Sequence, residues 1–327
     1  GGCASIESSD NTTPTASIPI DGGFTIPILT PFELTGEGSD DEDTNLLYNW
    51  EQYDADNVFA PLGMPVGNSP AFRSFPPTSS PTRVFPKMDL IVNNQSDITE
   101  VLVDYTRDFT FRMSVRDQHP VTGGFDWAEI AFETTDQAGP FLVTSPNDGS
   151  EVWTVGDYIE VTWDVANTDG SVVNCQTVNI ELSTDGGYTY PVTLAANTKN
   201  DGTQFVVVPD EVGTQVRVRV KAADNIFFDI SNQNFEIAAA TDADFAFVAP
   251  IVECERLCLP NSVTIDLSTS ALAGFTEMIS LSTDGLPGEV TATFSADQIN
   301  PGDGATLTLD IPDDINLHGD LNFTVRA

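Results

Sequence analysis

The chain has very few cations. Its 327 residues include 12 Lys and Arg against 50 Asp and Glu, a formal charge of −38 with only 2 His. A surface of that sign repels phosphate backbones and anionic headgroups, so neither nucleic acid nor a lipid surface is an expected partner. Long hydrophobic runs are missing too. None approaches the roughly 18 apolar residues that span a bilayer, so no membrane insertion is expected. There is no signal-peptide pattern, no His-Glu-x-x-His zinc helix, no Gly-x-Ser-x-Gly elbow and no P-loop. These absences remove the common signatures of metal-dependent, serine-dependent and nucleotide-dependent catalysis, and no organic cofactor is expected. With 50 acids, carboxylate pairs are too numerous for any one pair to indicate glycoside hydrolysis.

The remaining composition favours many short strands. Apolar residues make up 40% of the chain, and 24 Gly and 21 Pro are spread along it rather than gathered in one linker. That is enough apolar surface for packed cores, and the punctuation suits tight turns. Period-two alternation recurs, as in Phe109-Thr110-Phe111-Arg112-Met113-Ser114-Val115 and Val216-Arg217-Val218-Arg219-Val220. The fold class expected is all-β, in tandem Ig-like β-sandwiches, because a single sheet this long leaves one apolar face wet. Residues 1–20 read as a linker, 21–137 as a first sandwich, 138–239 as a second and 240–327 as a third. The second begins near Gly139-Pro140, and Ala238-Ala239-Ala240-Thr241-Asp242 separates it from the third. A proline-rich stretch over about 55–85 reads as a structured excursion across the first domain.

The second and third domains carry one layout twice. Leu182-Ser183-Thr184-Asp185-Gly186 returns 99 residues later as Leu281-Ser282-Thr283-Asp284-Gly285. Asp201-Gly202 returns as Asp303-Gly304, and Val208-Pro209-Asp210 as Ile311-Pro312-Asp313. Three landmarks in the same order, each about 100 residues on, match the size of one Ig-like sandwich.

Several residues are candidates for chemistry. Ser39-Asp40-Asp41-Glu42-Asp43 offers alternate hard oxygens, and Asp117 at a strand end lies where it can complete a shell. Asp40, Asp41, Asp43 and Asp117 are therefore candidate Ca2+ ligands, against the alternative of a solvated acidic turn. Asp224, Asn225 and Asp229 form a weaker cluster. Cys254 and Cys258 flank a turn and suit a local disulfide, in keeping with an oxidising, extracellular compartment. Cys175 reads as a buried thiol, and Cys3 as a partner for something upstream. Ser183, Asp185, Gly187, Thr189 and Tyr190 match an Asp-box, a hairpin device in which the carboxylate gathers turn N–H groups and an aromatic packs beneath. This reading is structural, since a single copy does not make a propeller. His119 and His318 sit in turn-like segments. Trp50 and Trp163 belong to alternating strands and read as core, while Trp127 and Trp153 are open to either core or a glycan-binding face.

The run from Leu34 through Asp40-Asp41 to Tyr53 resembles a PKD/cadherin-like strand and turn. Phe72-Arg73-Ser74-Phe75-Pro76-Pro77, Ser80-Pro81-Thr82-Arg83-Val84-Phe85-Pro86 and Ala138-Gly139-Pro140-Phe141 are more specific. So are Val161-Thr162-Trp163-Asp164-Val165, Leu194-Ala195-Ala196-Asn197-Thr198 and Asn225-Ile226-Phe227-Phe228-Asp229. With the Asp-box, they are similar to the region downstream of the catalytic domain in secreted bacterial reprolysin-like zinc metallopeptidases, over roughly residues 10–237. The family's zinc helix has no counterpart in this chain, so the resemblance implies an accessory role without catalysis. The abrupt start at Gly1-Gly2-Cys3 and the stop at Ala327 read as cuts in a longer precursor, whose missing domains are expected partners. The alternative expectation is a surface adhesin or filament subunit that binds glycan, another protein or other copies of itself.

Overall fold

The computed structural model describes residues 11–42, 44–54, 59–120, 122–248, 261–312 and 323–327. The fold is all-β, as tandem sandwiches; the one α-helix among the described residues is the short α1 (Met88–Val92). Asp43, Cys3, Cys254, Cys258 and His318 lie outside the described residues.

In the first sandwich, β2 (Thr25–Pro27), β8 (Phe125–Thr135), β7 (Arg107–Arg116) and β5 (Leu47–Gln52) form one sheet in the order β2-β8-β7-β5. Within that sheet β2 runs parallel to β8, with Thr25 opposite Glu133. The second layer is β3 (Phe32–Thr35) paired with β6 (Thr82–Phe85). The alternation in β7 places Phe109, Phe111, Met113 and Val115 fully inward. Phe32 from the facing layer meets them: its ring lies 5.0 Å from Phe85, 5.5 Å from Phe72 and Phe132, and 5.7 Å from Phe111. Part of the segment read as a linker belongs to this body. Thr15–Ser17 form β1, antiparallel to β4 (Glu37–Ser39), because Thr15, Ala16 and Ser17 match its register residue for residue.

The proline-rich stretch is tied down as expected of a structured excursion. Gln52 Oε1 accepts from Ala71 N and Phe72 N, and Tyr48 and Thr78 exchange backbone hydrogen bonds. Buried Glu100 accepts from Arg83 and from Lys87 N.

In the second sandwich, β9 (Leu142–Ser145), β11 (Tyr158–Asp164) and β14 (Thr203–Val207) make a three-stranded sheet. The other sheet runs β10 (Val152–Thr154), β17 (Phe235–Ala238), β15 (Gly213–Ala222), β12 (Thr177–Ser183) and β13 (Val192–Lys199), with β16 (Phe228–Ile230) on β15. Its β10 is parallel to β17, as β2 is to β8, so both sandwiches share one Ig-like strand plan.

The third sandwich repeats the three-stranded layer of the second. Its β18 (Asp244–Val248), β19 (Asn261–Leu272) and β24 (Gly304–Ile311) are ordered like β9-β11-β14, with β22 (Thr291–Phe294) added. Two small pairs accompany it, β20 (Ile279–Ser280) with β23 (Gln298–Ile299) and β21 (Ser282–Asp284) with β25 (Thr324–Arg326). The sequence repeat has a backbone basis. Gly186 and Gly285, which end the two Leu-Ser-Thr-Asp-Gly copies, share a φ of +84°, where glycine carries no Cβ penalty.

The chain divides into two compact units, one of Gly1–Ser150, Val161–Gln204 and Gln215–Phe235, the other of Glu151–Glu160, Phe205–Thr214 and Glu236–Ala327. The expected boundary at Gly139-Pro140 lies inside the first unit.

Phe32 is 1% exposed and touches five rings. We expect Phe32→Ala to cost about 3–5 kcal/mol in chemical denaturation, and the half-exposed Trp127→Ala less than about 1 kcal/mol.

Candidate functional site

A set of buried polar and aromatic groups lies in the first unit where its two sandwiches meet. It starts from residues 226–230. Phe227 and Phe228 are both fully buried, and neighbours on a strand point to opposite faces, so this segment has apolar surroundings on both sides. Phe227 forms an antiparallel bridge with Phe32 of the first sandwich. Glu33 N donates to Ile226 O at 2.9 Å, and Phe228 N donates to Pro31 O at 3.0 Å. Phe228 and Ile230 pack with Val92, and Val84, Met88, Ile91 and Tyr190 close around them. On the other face the Phe227 ring lies 5.2 Å from Phe141, whose N–H donates to Thr30 Oγ1 at 3.0 Å.

Charge reinforces the junction. Glu33 on β3 receives Lys221 Nζ at 2.7 Å and lies 3.6 Å from Arg219. Arg219 is in turn paired with Glu181 at 2.6 Å, its partner across β12 and β15. The Arg219 guanidinium lies 4.3 Å above the Tyr190 ring and 5.4 Å above Phe228.

The Asp-box hairpin feeds the same place. Ser183 Oγ donates to Asp185 Oδ1 at 2.7 Å and accepts from Gly187 N at 2.8 Å. Asp185 also accepts from Tyr188 N and Thr189 N at 3.0 Å, and from Thr189 Oγ1 at 2.7 Å. Burial alone would raise its carboxyl, but these bonds outweigh it and hold the pKa at about 2. Gly187 has φ +101°, and a Cβ there would lie 2.9 Å from Arg217 Cδ and 3.3 Å from Val92 Cγ2. A side chain here would crowd Arg217 and Tyr190 of the same sandwich and press on Val92 of the first, at a positive φ that glycine adopts without strain. Tyr190 then plugs the junction. Its hydroxyl is buried without a hydrogen-bond partner, and desolvation pushes its pKa up against the pull of Arg219 and Arg217. All five Asp-box residues thus serve the hairpin and the joint. The sequence had a signal for the joint that was missed: consecutive Phe227-Phe228 requires two apolar faces.

The weaker acidic cluster does not assemble. Asp229 is almost wholly buried and accepts from Val143 N at 2.7 Å. Desolvation outweighs that bond and raises its pKa to about 7. Asn225 Nδ2 donates to Thr25 O at 3.0 Å instead, and Asp224 bears on Cys175. Short backbone-bonding side chains in sequence proximity have simply found three separate partners. Cys175 is a buried free thiol, raised to about 12 by desolvation and the Asp224 charge.

The calcium candidates lie on one corner. Asp117 is buried at the end of β7, where both its oxygens accept from Gly124 N at 2.8–2.9 Å and Oδ2 accepts from Asn11 Nδ2 at 2.8 Å. The neighbouring Thr12 donates to Glu42, and Glu42 N donates to Asp40 Oδ1. Residues 11–12 thus link Asp117 to the acidic turn that holds Asp40 and Asp41. Asn11 Oδ1 is buried there with no hydrogen-bond partner. Among the described residues, no three His, Cys, Asp or Glu side chains are placed to hold a metal ion; Asp43 is not among them. His119 lies in the hairpin turn, where Nδ1 accepts from Thr122 N at 3.3 Å. Trp50, Trp153 and Trp163 are buried, and the indoles of Trp50 and Trp163 donate to Pro81 O and Asn200 Oδ1. Trp127 is exposed on β8, with Arg112 stacked 4.1 Å from its ring.

No family model and no curated protein matches the chain. Among solved structures it is similar to the N-terminal eight Ig domains of Down syndrome cell adhesion molecule isoform 1.30.30. The identity is 11% over 94% of this chain, with a TM-score of 0.21, and the match spans 38% of that structure. It is also similar to Drosophila N-cadherin EC1-4, at 12% identity over 95% of this chain and 69% of that one, TM-score 0.23. A third is surface layer protein SbsC, domains 1–6, at 10% identity over 96% and 52%, TM-score 0.21. Overlaps this low do not bear on the chemistry of the site.

Asp229 sets a pH dependence. Its folded pKa, about 7, lies above the usual carboxyl value of 3.8. The folded state therefore holds the proton more tightly, and stability falls as pH rises from about 4 to about 7, then levels. Asp229→Asn keeps an oxygen for Val143 N but removes this loss. In urea denaturation it is expected to exceed the parent by about 1–3 kcal/mol at pH 8, and by little at pH 4.

Proposed function

We propose that this chain is a non-catalytic domain array of an extracellular protein, in which the first two sandwiches act as one stiff spacer. Such a spacer would hold or target a functional domain of the same precursor, a metallopeptidase domain being the candidate that the sequence resemblance suggests. The junction is the observation that carries this reading. Its buried and charged groups are spent on joining two sandwiches: Glu33 on Lys221 and Arg219, Asp185 on its own turn, Tyr190 on the apolar cluster. The acidic surface suits a saline or calcium-rich exterior, where screening reduces self-repulsion. Among the described residues no helix is long and apolar enough to cross a membrane.

Limited proteolysis of the full chain tests the spacer. The resistant fragment should contain both N-terminal sandwiches, with no early cleavage over residues 136–142. Early cleavage there, releasing the two sandwiches separately, would sink the reading. Turnover on casein or polysaccharides by the purified chain would likewise defeat the non-catalytic part.

Calcium is proposed as a stabiliser of the corner around Asp117. A hard cation there would draw on Asn11 Oδ1, the oxygen left without a partner, together with carboxylates of the acidic turn. Millimolar calcium should then raise the melting temperature against matched ionic strength, and Asp40→Asn should blunt the rise. Equal melting with calcium and with chelator counts against it.

A further inference from the structure

The repeat shared by the second and third sandwiches extends to strand pairing, and one strand of it is incomplete in the third. In the second sandwich β12 lies between β13 and β15. Ile180, Glu181 and Leu182 pair with Ala195, Thr193 and Val192 on one side, and with Val220, Arg219 and Val218 on the other. The repeat, offset by 99 residues at Leu281-Ser282-Thr283-Asp284-Gly285, puts Ile279 and Ser280 of β20 where Ile180 and Glu181 stand. The pairing agrees on both sides. Ile279 meets Ile299 of β23, which takes the place of β13. Ser282 meets Arg326 of β25, as Ser183 meets Arg217 of β15.

Thus β25 holds the start of a strand that β15 runs in full. From Arg217, β15 continues through Val218, Val220 and Ala222, each no more than 2% exposed. The positions of Val220 and Ala222 are not matched in the third sandwich by any described residue, and β20 has β23 as its one strand neighbour among the described residues. The backbone of β20 is set for another. Leu281 N donates to Asp297 O on the β23 side, so the N–H of Ser280, one residue back on an extended chain, points the other way. On that side the equivalent Glu181 meets Arg219.

The apolar rim is open to match. Met278, just before β20, is 58% exposed, and Phe245, Phe247, Phe275 and Phe294 are only partly buried against the core of this sandwich. A strand edge beside part-buried apolar groups accepts a further strand, with main-chain bonds for affinity and alternate side chains for specificity. The register says what fits. Residues in the places of Val218, Val220 and Ala222 face inward and must be apolar, while those between them can be polar. The unmatched positions are the direct continuation of β25. A segment continuous with that strand reaches them without a connecting loop, and so without the entropy of closing one.

We infer that the edge of β20 is a strand-accepting site, filled by a segment of the same precursor that continues β25 with apolar residues at every second position. This rests on the precursor reading proposed above but not on the joint between the first two sandwiches, which proteolysis tests separately. Fluorescence anisotropy on the full chain tests it with a labelled, capped peptide of the sequence of residues 217–224. Saturable binding is expected, about tenfold tighter than for the same residues in an order without alternation, or for the peptide with proline in the place of Val220. Ser280→Pro should abolish binding at unchanged melting temperature, because the N–H it removes faces the site rather than β23. Appending the sequence of residues 219–224 directly after Ala327 should raise the melting temperature and block the free peptide. Absent or order-independent binding, or indifference to Ser280→Pro, would overturn the inference. So would a free peptide that still binds the extended chain, or a dimer in sedimentation that Ser280→Pro abolishes, since the strand would then come from another molecule.

Discussion

A strand segment whose two faces are both apolar belongs to two cores at once, and residues 226–230 are such a segment. Phe227 turns toward Phe141 while Phe228 turns toward Val92 and Tyr190. Separating the sandwiches would wet the second face, and burying one such side chain is worth about 1.5–3 kcal/mol. It would also part Glu33 from Lys221 and Arg219, although Arg219 would keep Glu181 on its own sheet. The joint is therefore continuous with the folding of both sandwiches.

This places the scarce cations. In a chain with 12 Lys and Arg, Arg219 and Lys221 sit at the joint, Arg217 reaches Asn234 and Ser231 O beside it, and Arg83 and Arg107 brace the excursion. Cations on an acidic protein are attracted to any carboxylate, so the burial of these particular side chains reflects geometry as much as charge, while Arg73, Lys87, Arg116, Lys199 and Arg326 stay exposed. At these places a guanidinium also lies over a ring: Arg219 over Tyr190, Arg83 over Phe85, Arg107 over Phe109. Stacking and donor count favour arginine over lysine there.

Much of the fold was legible in the sequence because alternation reports one face at a time. The strand over 109–115 was readable from Phe109-Thr110-Phe111-Arg112-Met113, and the repeat from two Asp-Gly turns that need the same positive φ. The Asp-box was readable because its hydrogen bonds are local, running from Ser183 to Thr189. The joint was not read, because Glu33 and Lys221 are 188 residues apart and nothing in either neighbourhood names the other. The same limit applies to Asp224, Asn225 and Asp229, which look like one cluster in sequence. The bend that holds Asp224 and Asn225 and the strand that holds Asp229 send these side chains to three different partners.

The junction and the proline-rich excursion both present large apolar side chains, and the difference between them is closure. At the junction Phe228 and Ile230 meet Val92 of the first sandwich, and Glu33 is answered by Arg219 and Lys221. On the proline-rich excursion Phe59 and Leu62 meet solvent instead. An apolar surface held open by backbone rigidity cannot relax its exposure by collapse, so the free energy it would gain on burial remains available to a ligand.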